Sequence, residues 1–197
     1  MSKKKSQNFG VRVFDTVLDT KRRRDTTTRN SADFWEVFCK AAGWSFGYER
    51  IHSLVDLTHF LGRGIHESFI IFSGHGNEEG FFLTNGDKVD SDSIADMMSP
   101  RNENKSIIFS SCLMGKDDEH CEALRVALKA KHLFSYRHSM QDRFCFLFES
   151  ILLTLIEQNQ NFGRKEFEEF QAKTSFMTRI NKAYVRSHPM KMYEEWF

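Results

Sequence analysis

Two short apolar runs, each ending in a small polar turn, constrain the fold of this chain more than any other feature. Residues 69–72 lead into Ser73-Gly74-His75-Gly76, and residues 107–109 lead into Ser110-Ser111-Cys112. Short continuous apolar runs bounded by turn residues are typical of strands buried on both faces of a parallel sheet. Because parallel strands deliver the residues after them to one edge of the sheet, the sequence predicts an imidazole and a thiol facing each other across a cleft.

A thiol and an imidazole in this arrangement form a nucleophile pair suited to attack on a carbonyl group. A cysteine thiol is mostly protonated at pH 7, since its reference pKa is about 8.5. The imidazole of His75 can accept that proton and later return it to a leaving amine. The N–H groups of Gly76 and Cys112 are the predicted oxyanion donors, and a helix beginning near Asp117 is predicted to favour the thiolate through its dipole.

Length and composition favour one domain in a reducing compartment. The 197 residues carry a net charge of +1, so no basic field indicates direct binding of nucleic acid. The four cysteines form no CxxC pair. The basic N-terminus lacks a following apolar segment, and the apolar stretch 144–156 is interrupted by Glu149 and too short to span a bilayer. We therefore expect a cytoplasmic protein without a membrane partner, flexible at residues 1–8 and folded as a single domain over 9–197.

Segments with strand-like and helix-like patterns alternate along the chain. Strands are predicted at residues 10–15, 44–51, 69–73, 106–110 and 132–136. Helices are predicted at residues 33–42, 53–61, 90–98, 117–131, 142–158 and 164–186. Asn85-Gly86 lies between apolar residues, which predicts a hairpin with a two-residue turn. The alternation predicts an α/β fold with a mostly parallel central sheet and helices on both faces.

The two blocks at the ends of the apolar runs resemble those of a known enzyme class. Ser73-Gly74-His75-Gly76 and Ser110-Ser111-Cys112-Leu113-Met114-Gly115 are similar to the His-Gly and Ser-Ala-Cys-x-x-Gly blocks of caspase-like (clan CD) cysteine peptidases. Within that clan the chain is most similar to the CHAT branch, which also resembles separase, and the resemblance covers residues 65–160. It implies a caspase-like three-layer sandwich and a dyad of His75 and Cys112 that needs no third carboxylate. We expect no cofactor and no metal.

The resemblance also bears on the residues that contact substrate. Caspases carry Gln and metacaspases carry Asp two positions before the nucleophile, whereas this chain carries Ser110. In separase-like and CHAT members an acidic residue after the following strand can line the pocket, and Asp142 falls at that position. A carboxylate in a cleft attracts a basic side chain. We therefore predict Ser110 and Asp142 as substrate-binding residues and cleavage after a basic residue, with Asp15 and Asp19 as weaker candidates for this pocket and a helix N-cap as the alternative role of Asp142.

As a whole, the resemblance implies a cysteine endopeptidase that cleaves specific protein targets. Relatives of this kind act as effectors in bacterial defence or stress systems, which implies an activating or regulatory protein partner. If cleavage occurs after a basic residue, the segment Arg22-Arg23-Arg24 becomes a candidate for self-cleavage; otherwise it is a solvated loop.

Three other functions remain open from the sequence. A catalytically inert interaction module would explain the departures at Ser110 and Leu113-Met114 and could dock a partner through residues 192–197, although retention of both His75 and Cys112 argues against it. A different acyl transfer on the same dyad shares the first half-reaction. A zinc site would use His75, Cys112, His120 and Cys121. It is disfavoured because adjacent helical residues point about 100° apart.

Overall fold

The computed structural model describes residues 9–16, 31–159, 161–180 and 187–194. Its strands are β1 (Gly10–Asp15), β2 (Ser45–Arg50), β3 (Phe69–Ser73), β4 (His75–Asn77), β5 (Gly80–Phe82), β6 (Lys88–Val89), β7 (Ser106–Ser110), β8 (His132–Tyr136) and β9 (Met190–Glu194). Its helices are α1 (Ser31–Ala42), α2 (Leu54–Leu61), α3 (Ser91–Ile94), α4 (Asp118–Ala127), α5 (Asp142–Gln158) and α6 (Arg164–Ile180). The segment 1–8, Asp19, the arginine loop 22–24 and residues 195–197 lie outside the described ranges.

Six of the strands form the central sheet, in the order β2-β1-β3-β7-β8-β9. All neighbouring pairs are parallel except β8 and β9, which run antiparallel. The predicted α/β class and mostly parallel sheet are therefore confirmed. β9, at one edge, is the strand that opposes the common direction.

Helices cover both faces of this sheet. As a result, every side chain of β3 and β7 is buried. Side chains alternate along a strand, so Ile71 and Ile108 pack into a cluster with α1, α5 and α6, whereas Phe72 and Phe109 pack into a second cluster with α2, α3 and α4. The unbroken apolar runs in the sequence are a consequence of this double burial. The predicted three-layer arrangement is confirmed.

The hairpin is present, but its turn differs from the prediction. Residue 81 pairs with 89 and residue 82 with 88, so the connection spans residues 83–87 and not Asn85-Gly86 alone. The Asn85 side chain accepts a hydrogen bond from the N–H of Asp87, and Gly86 takes the left-handed conformation, with φ +93°. The short strand β4 completes a separate three-stranded sheet with β5 and β6, and it carries His75.

Two helices are shorter than their apolar patterns predicted. The predicted helix 90–98 is confined to α3, and Asp96 just beyond it has φ +66°. The helix predicted over 117–131 ends with a Schellman motif, in which Lys129 has φ +47° and the N–H of Ala130 donates to Arg125 O at 3.0 Å. Periodicity alone does not reveal such ends. No helix within the described ranges is long and apolar enough to cross a lipid bilayer.

Two buried histidines predict loss of stability in mild acid. Burial lowers the pKa of both His132 and His188 from the usual 6.5 to about 4. The unfolded chain therefore binds more protons than the folded chain between these values, and the free energy of unfolding decreases as pH falls from about 6.5 towards 4. Urea unfolding at pH 7.0, 5.5 and 4.5 should show a falling midpoint. A midpoint that stays constant over this range would contradict the prediction.

Candidate active site

The register of the two central strands places the predicted catalytic residues at the same level of one sheet edge. β3 and β7 pair in parallel with Ser73 opposite Ser110. His75 and Cys112 each lie two positions beyond these paired strand ends. The pairing continues one step past the sheet, where the N–H of Gly74 donates to Ser110 O at 3.4 Å. His75 is exposed and Cys112 is half-buried, so both side chains have access to solvent.

The segments that carry these residues also pack directly against each other. A Cβ added to Gly76 would lie 2.7 Å from Ser111 Oγ and 3.1 Å from Met114 Cγ, so only glycine permits this approach. The buried Ser111 hydroxyl has no hydrogen-bond partner among the described residues. Nearer the surface, Lys116 forms an ion pair with Glu78, which joins the same two segments.

The close packing at Gly76 predicts a local effect of adding one methyl group. We expect Gly76→Ala to push the His75 segment away from Ser111, with a loss of stability of about 1–3 kcal/mol from overpacking. Gly163→Ala is the matched control, because its Cβ would meet no atom closer than 3.6 Å. Thermal unfolding of both variants tests this; equal stability in the two would contradict it.

Cys112 is presented by a strained turn. The next residue, Leu113, has φ +67° and ψ −13°, which is rare for a residue with a bulky side chain. The N–H of Met114 closes the turn by donating to Cys112 O at 2.9 Å. Strain of this kind clusters at functional sites, where the surrounding structure maintains it.

A backbone N–H from a third segment reaches the sulfur of Cys112. The N–H of Met140, between β8 and α5, donates to Cys112 Sγ at 3.3 Å. A hydrogen bond of this kind is stronger to a thiolate than to a thiol. The thiol in turn approaches Met140 O at 3.9 Å, so both polar groups of the Met140 backbone lie near the sulfur. The predicted helix near Asp117 is present as α4, and the Asp117 carboxylate caps it by accepting the His120 N–H at 3.0 Å. A contribution of this helix to the thiolate stays a prediction.

The structure separates the two predicted substrate-binding residues. Ser110 is only 1% exposed and its hydroxyl donates to Glu149 Oε1, so it supports the site from below, which corrects the predicted substrate contact. Asp142 is half-buried and begins α5, two positions after Met140. Gln141 is the N-cap residue of that helix, so the alternative N-cap role of Asp142 is wrong.

The further acidic candidate, Asp15, is committed to other contacts. It is 2% exposed at the end of β1, where it accepts hydrogen bonds from Tyr48 Oη at 2.9 Å and Arg50 Nη2 at 3.4 Å. Neither the four residues of the disfavoured zinc set nor any other three His, Cys, Asp or Glu side chains form a group suited to a metal within the ranges described.

The fold of the chain matches solved structures, whereas its sequence matches no family model and no curated protein. The Arg-specific cysteine proteinase gingipain R aligns with a TM-score of 0.58 at 9% identity, covering 94% of this chain and 46% of its own. The complex of the pro- and mature domains of RgpB from Porphyromonas gingivalis aligns with a TM-score of 0.54 at 8% identity, covering 93% of this chain and 46% of that one.

The third matched structure is a complex that contains separase. The separase–securin complex of Saccharomyces cerevisiae aligns with a TM-score of 0.52 at 11% identity, over 95% of this chain and 12% of the matched chain. The chain has the caspase-like fold of clan CD cysteine peptidases. This caspase-like chain spans less than half the length of each matched protein, so the likeness establishes the fold and not the activities of the matched proteins.

The sequence does not predict the contacts of two residues of the candidate site, Met140 and Glu149. The contact from Met140 depends on the path of the loop between β8 and α5, and the sequence carries no signal for it. Glu149 does carry a signal, because it is the charged residue inside the apolar stretch 144–156. From the sequence alone, this charge indicates only that the apolar stretch is interrupted and unsuited to span a membrane.

Proposed function

We propose that this chain is a cysteine endopeptidase with Cys112 as nucleophile and His75 as general base. The observation that carries the proposal is the register of β3 and β7, which brings both residues to one level of the sheet edge in a caspase-like fold. The contact between Gly76 and Ser111 and the hydrogen bond from Met140 to Cys112 Sγ support it.

The reaction proceeds in two half-reactions on this dyad. The Cys112 thiol loses its proton to His75, and the sulfur attacks the peptide carbonyl to form a tetrahedral oxyanion. The N–H groups of Gly76 and Cys112 stabilise that oxyanion, each worth about 3 kcal/mol. The proton on His75 passes to the leaving amine as the C–N bond breaks, which leaves a thioester. Water then gives its proton to His75 and attacks the thioester, releasing the carboxylic acid and restoring the thiol.

We further propose that cleavage occurs after a basic residue, whose side chain binds the carboxylate of Asp142. The matched gingipain R structure is described as Arg-specific. Asp142 is half-buried and lies two positions after Met140, whose N–H contacts the proposed nucleophile, so its backbone follows directly on the segment that lies against Cys112. We expect Asp142→Asn to reduce the preference for arginine over norleucine at the cleaved position. Asp92→Asn, in the first turn of α3, is the control.

The same proposal includes protein substrates and the regulation of this chain by a protein partner. The separase likeness supports them in general terms, since the matched structure is a complex with securin. The chain spans 12% of that separase chain, so an effector role in a defence or stress system, with activation by a partner, remains a proposal on the resemblance.

The decisive experiment compares protein N-termini generated in a cell extract by the wild type and by Cys112→Ala. The proposal expects new N-termini with the wild type that are absent with the variant. Their flanking sequences give the cleavage preference at the same time. If the two samples match and a peptidyl thiol-reactive probe labels Cys112 equally in wild type and His75→Ala, the chain is an inert interaction module instead.

A further inference from the structure

The buried carboxylate of Glu149 contacts the last residue of the strand that leads to the proposed nucleophile. Glu149 is 0% exposed in the middle of α5, where a carboxylate is costly unless hydrogen bonds satisfy it. Its Oε1 accepts a hydrogen bond from the Ser110 hydroxyl, and the Tyr136 hydroxyl lies 3.0 Å from the same oxygen. One carboxylate oxygen therefore joins two neighbouring strands of the sheet.

These two hydroxyls belong to the last residues of β7 and β8. Beyond Ser110 the chain continues through Ser111 to Cys112. Beyond Tyr136 it continues to Met140, whose N–H donates to Cys112 Sγ. The two segments thus leave the sheet from strand ends held by one carboxylate and meet again at the sulfur.

A second packing contact limits how far these segments can move. A Cβ on Gly115 would lie 2.8 Å from Ser135 Oγ and 3.0 Å from the carbonyl carbon of Tyr136. The turn after Cys112 therefore rests directly on the end of β8. A small change in the spacing of β7 and β8 at this end would move Cys112 relative to Met140.

We propose that Glu149 is a positioning residue that holds the ends of β7 and β8 together and so keeps the Met140 N–H against the Cys112 sulfur. The inference rests on Cys112 being the nucleophile of the proposed function, and it adds a residue that touches neither substrate nor sulfur. Its consequence is that loss of either hydroxyl contact weakens the hydrogen bond to the thiolate.

The test uses two serines at opposite ends of the same strand. Ser110→Ala removes the hydroxyl that binds Glu149, whereas Ser106→Ala removes the buried hydroxyl that lies 3.0 Å from His132 Nδ1 at the other end of β7. Iodoacetamide alkylation of Cys112, quantified by mass spectrometry of its peptide, is measured against pH. We expect Ser110→Ala to slow alkylation of Cys112 at pH 7 about tenfold, because the Met140 N–H would no longer be held against the sulfur. Ser106→Ala should match the wild type.

Tyr136→Phe provides an independent variant, and it should slow alkylation in the same way as Ser110→Ala. Glu149→Gln keeps an acceptor oxygen at this place and should stay closer to the wild type than Glu149→Leu. If Glu149→Leu fails to fold, the two hydroxyl variants decide. An unchanged profile in both of them, or an equal shift in Ser106→Ala, would overturn the inference.

Alkylation requires no peptide cleavage, so this result is separable from the proposed function. A shifted profile in a protein that cleaves nothing would refute the peptidase and retain Glu149 as a positioning residue. Normal cleavage with an unshifted profile would retain the peptidase and refute the inference.

Discussion

Replacing His75 with alanine is expected to slow peptide hydrolysis by about 10²- to 10⁴-fold, the usual contribution of a positioned general base. Without the imidazole, no side chain in the proposed mechanism accepts the proton of Cys112 or returns it to the leaving amine. Because His75 is exposed, the substitution should leave the fold unchanged. The measurement is kcat/KM on a peptide derived from the first cleavage site found in the N-terminal comparison.

His66→Ala is the matched control for this variant. His66 is also exposed and precedes β3, whereas His75 comes after it, so the two histidines lie at opposite ends of one strand. We expect His66→Ala to retain the wild-type rate and both variants to retain the wild-type melting temperature. Comparable activity in His75→Ala and His66→Ala would remove the imidazole from the mechanism.

The second large effect concerns stability beneath the site. Phe72 and Phe109 are fully buried, pair in register on β3 and β7, and stack with ring centroids 4.7 Å apart. We expect Phe109→Ala to lower the free energy of unfolding by about 3–5 kcal/mol, since it removes buried apolar surface and leaves a cavity between the sheet and the helices that cover this face.

Denaturant unfolding monitored by tryptophan fluorescence measures this change. Phe176→Ala, whose side chain is 61% exposed on α6, should lie within about 0.5 kcal/mol of the wild type. A small effect for Phe109→Ala, similar to that of Phe176→Ala, would show that the two strands are not held by this stacked pair.

The sequence predicts the sheet edge well because local signals and tertiary structure agree there. The runs before Ser73 and Ser110 are apolar throughout, and double burial is the reason. Two parallel neighbouring strands then bring the residues at their carboxyl ends to one level, so the placement of His75 and Cys112 at one level could be predicted, whereas their catalytic roles stay a prediction. The predicted helix 53–61 is likewise present as α2, where Ser53 and Asp56 form a capping box at its start.

The remaining parts depend on contacts between distant segments. Ser110 looks like a surface residue of the nucleophile motif, but Glu149, which is 39 positions away, binds its hydroxyl and draws it into the core. The N–H that reaches Cys112 comes from Met140, which carries no distinguishing side chain. The ends of α3 and α4 depend on single left-handed residues, Asp96 and Lys129, which apolar periodicity does not reveal.

The reversed direction of β9 determines where additions to this chain would be harmless. Glu194 pairs with His132, the first residue of β8, whereas His75 and Cys112 lie just beyond the opposite ends of their strands. Residue 194 therefore lies at the end of the sheet opposite to the one that carries His75 and Cys112. A fluorescent reporter or affinity handle joined downstream should leave the candidate active site accessible, so labelled protein is suitable for the cleavage and alkylation assays.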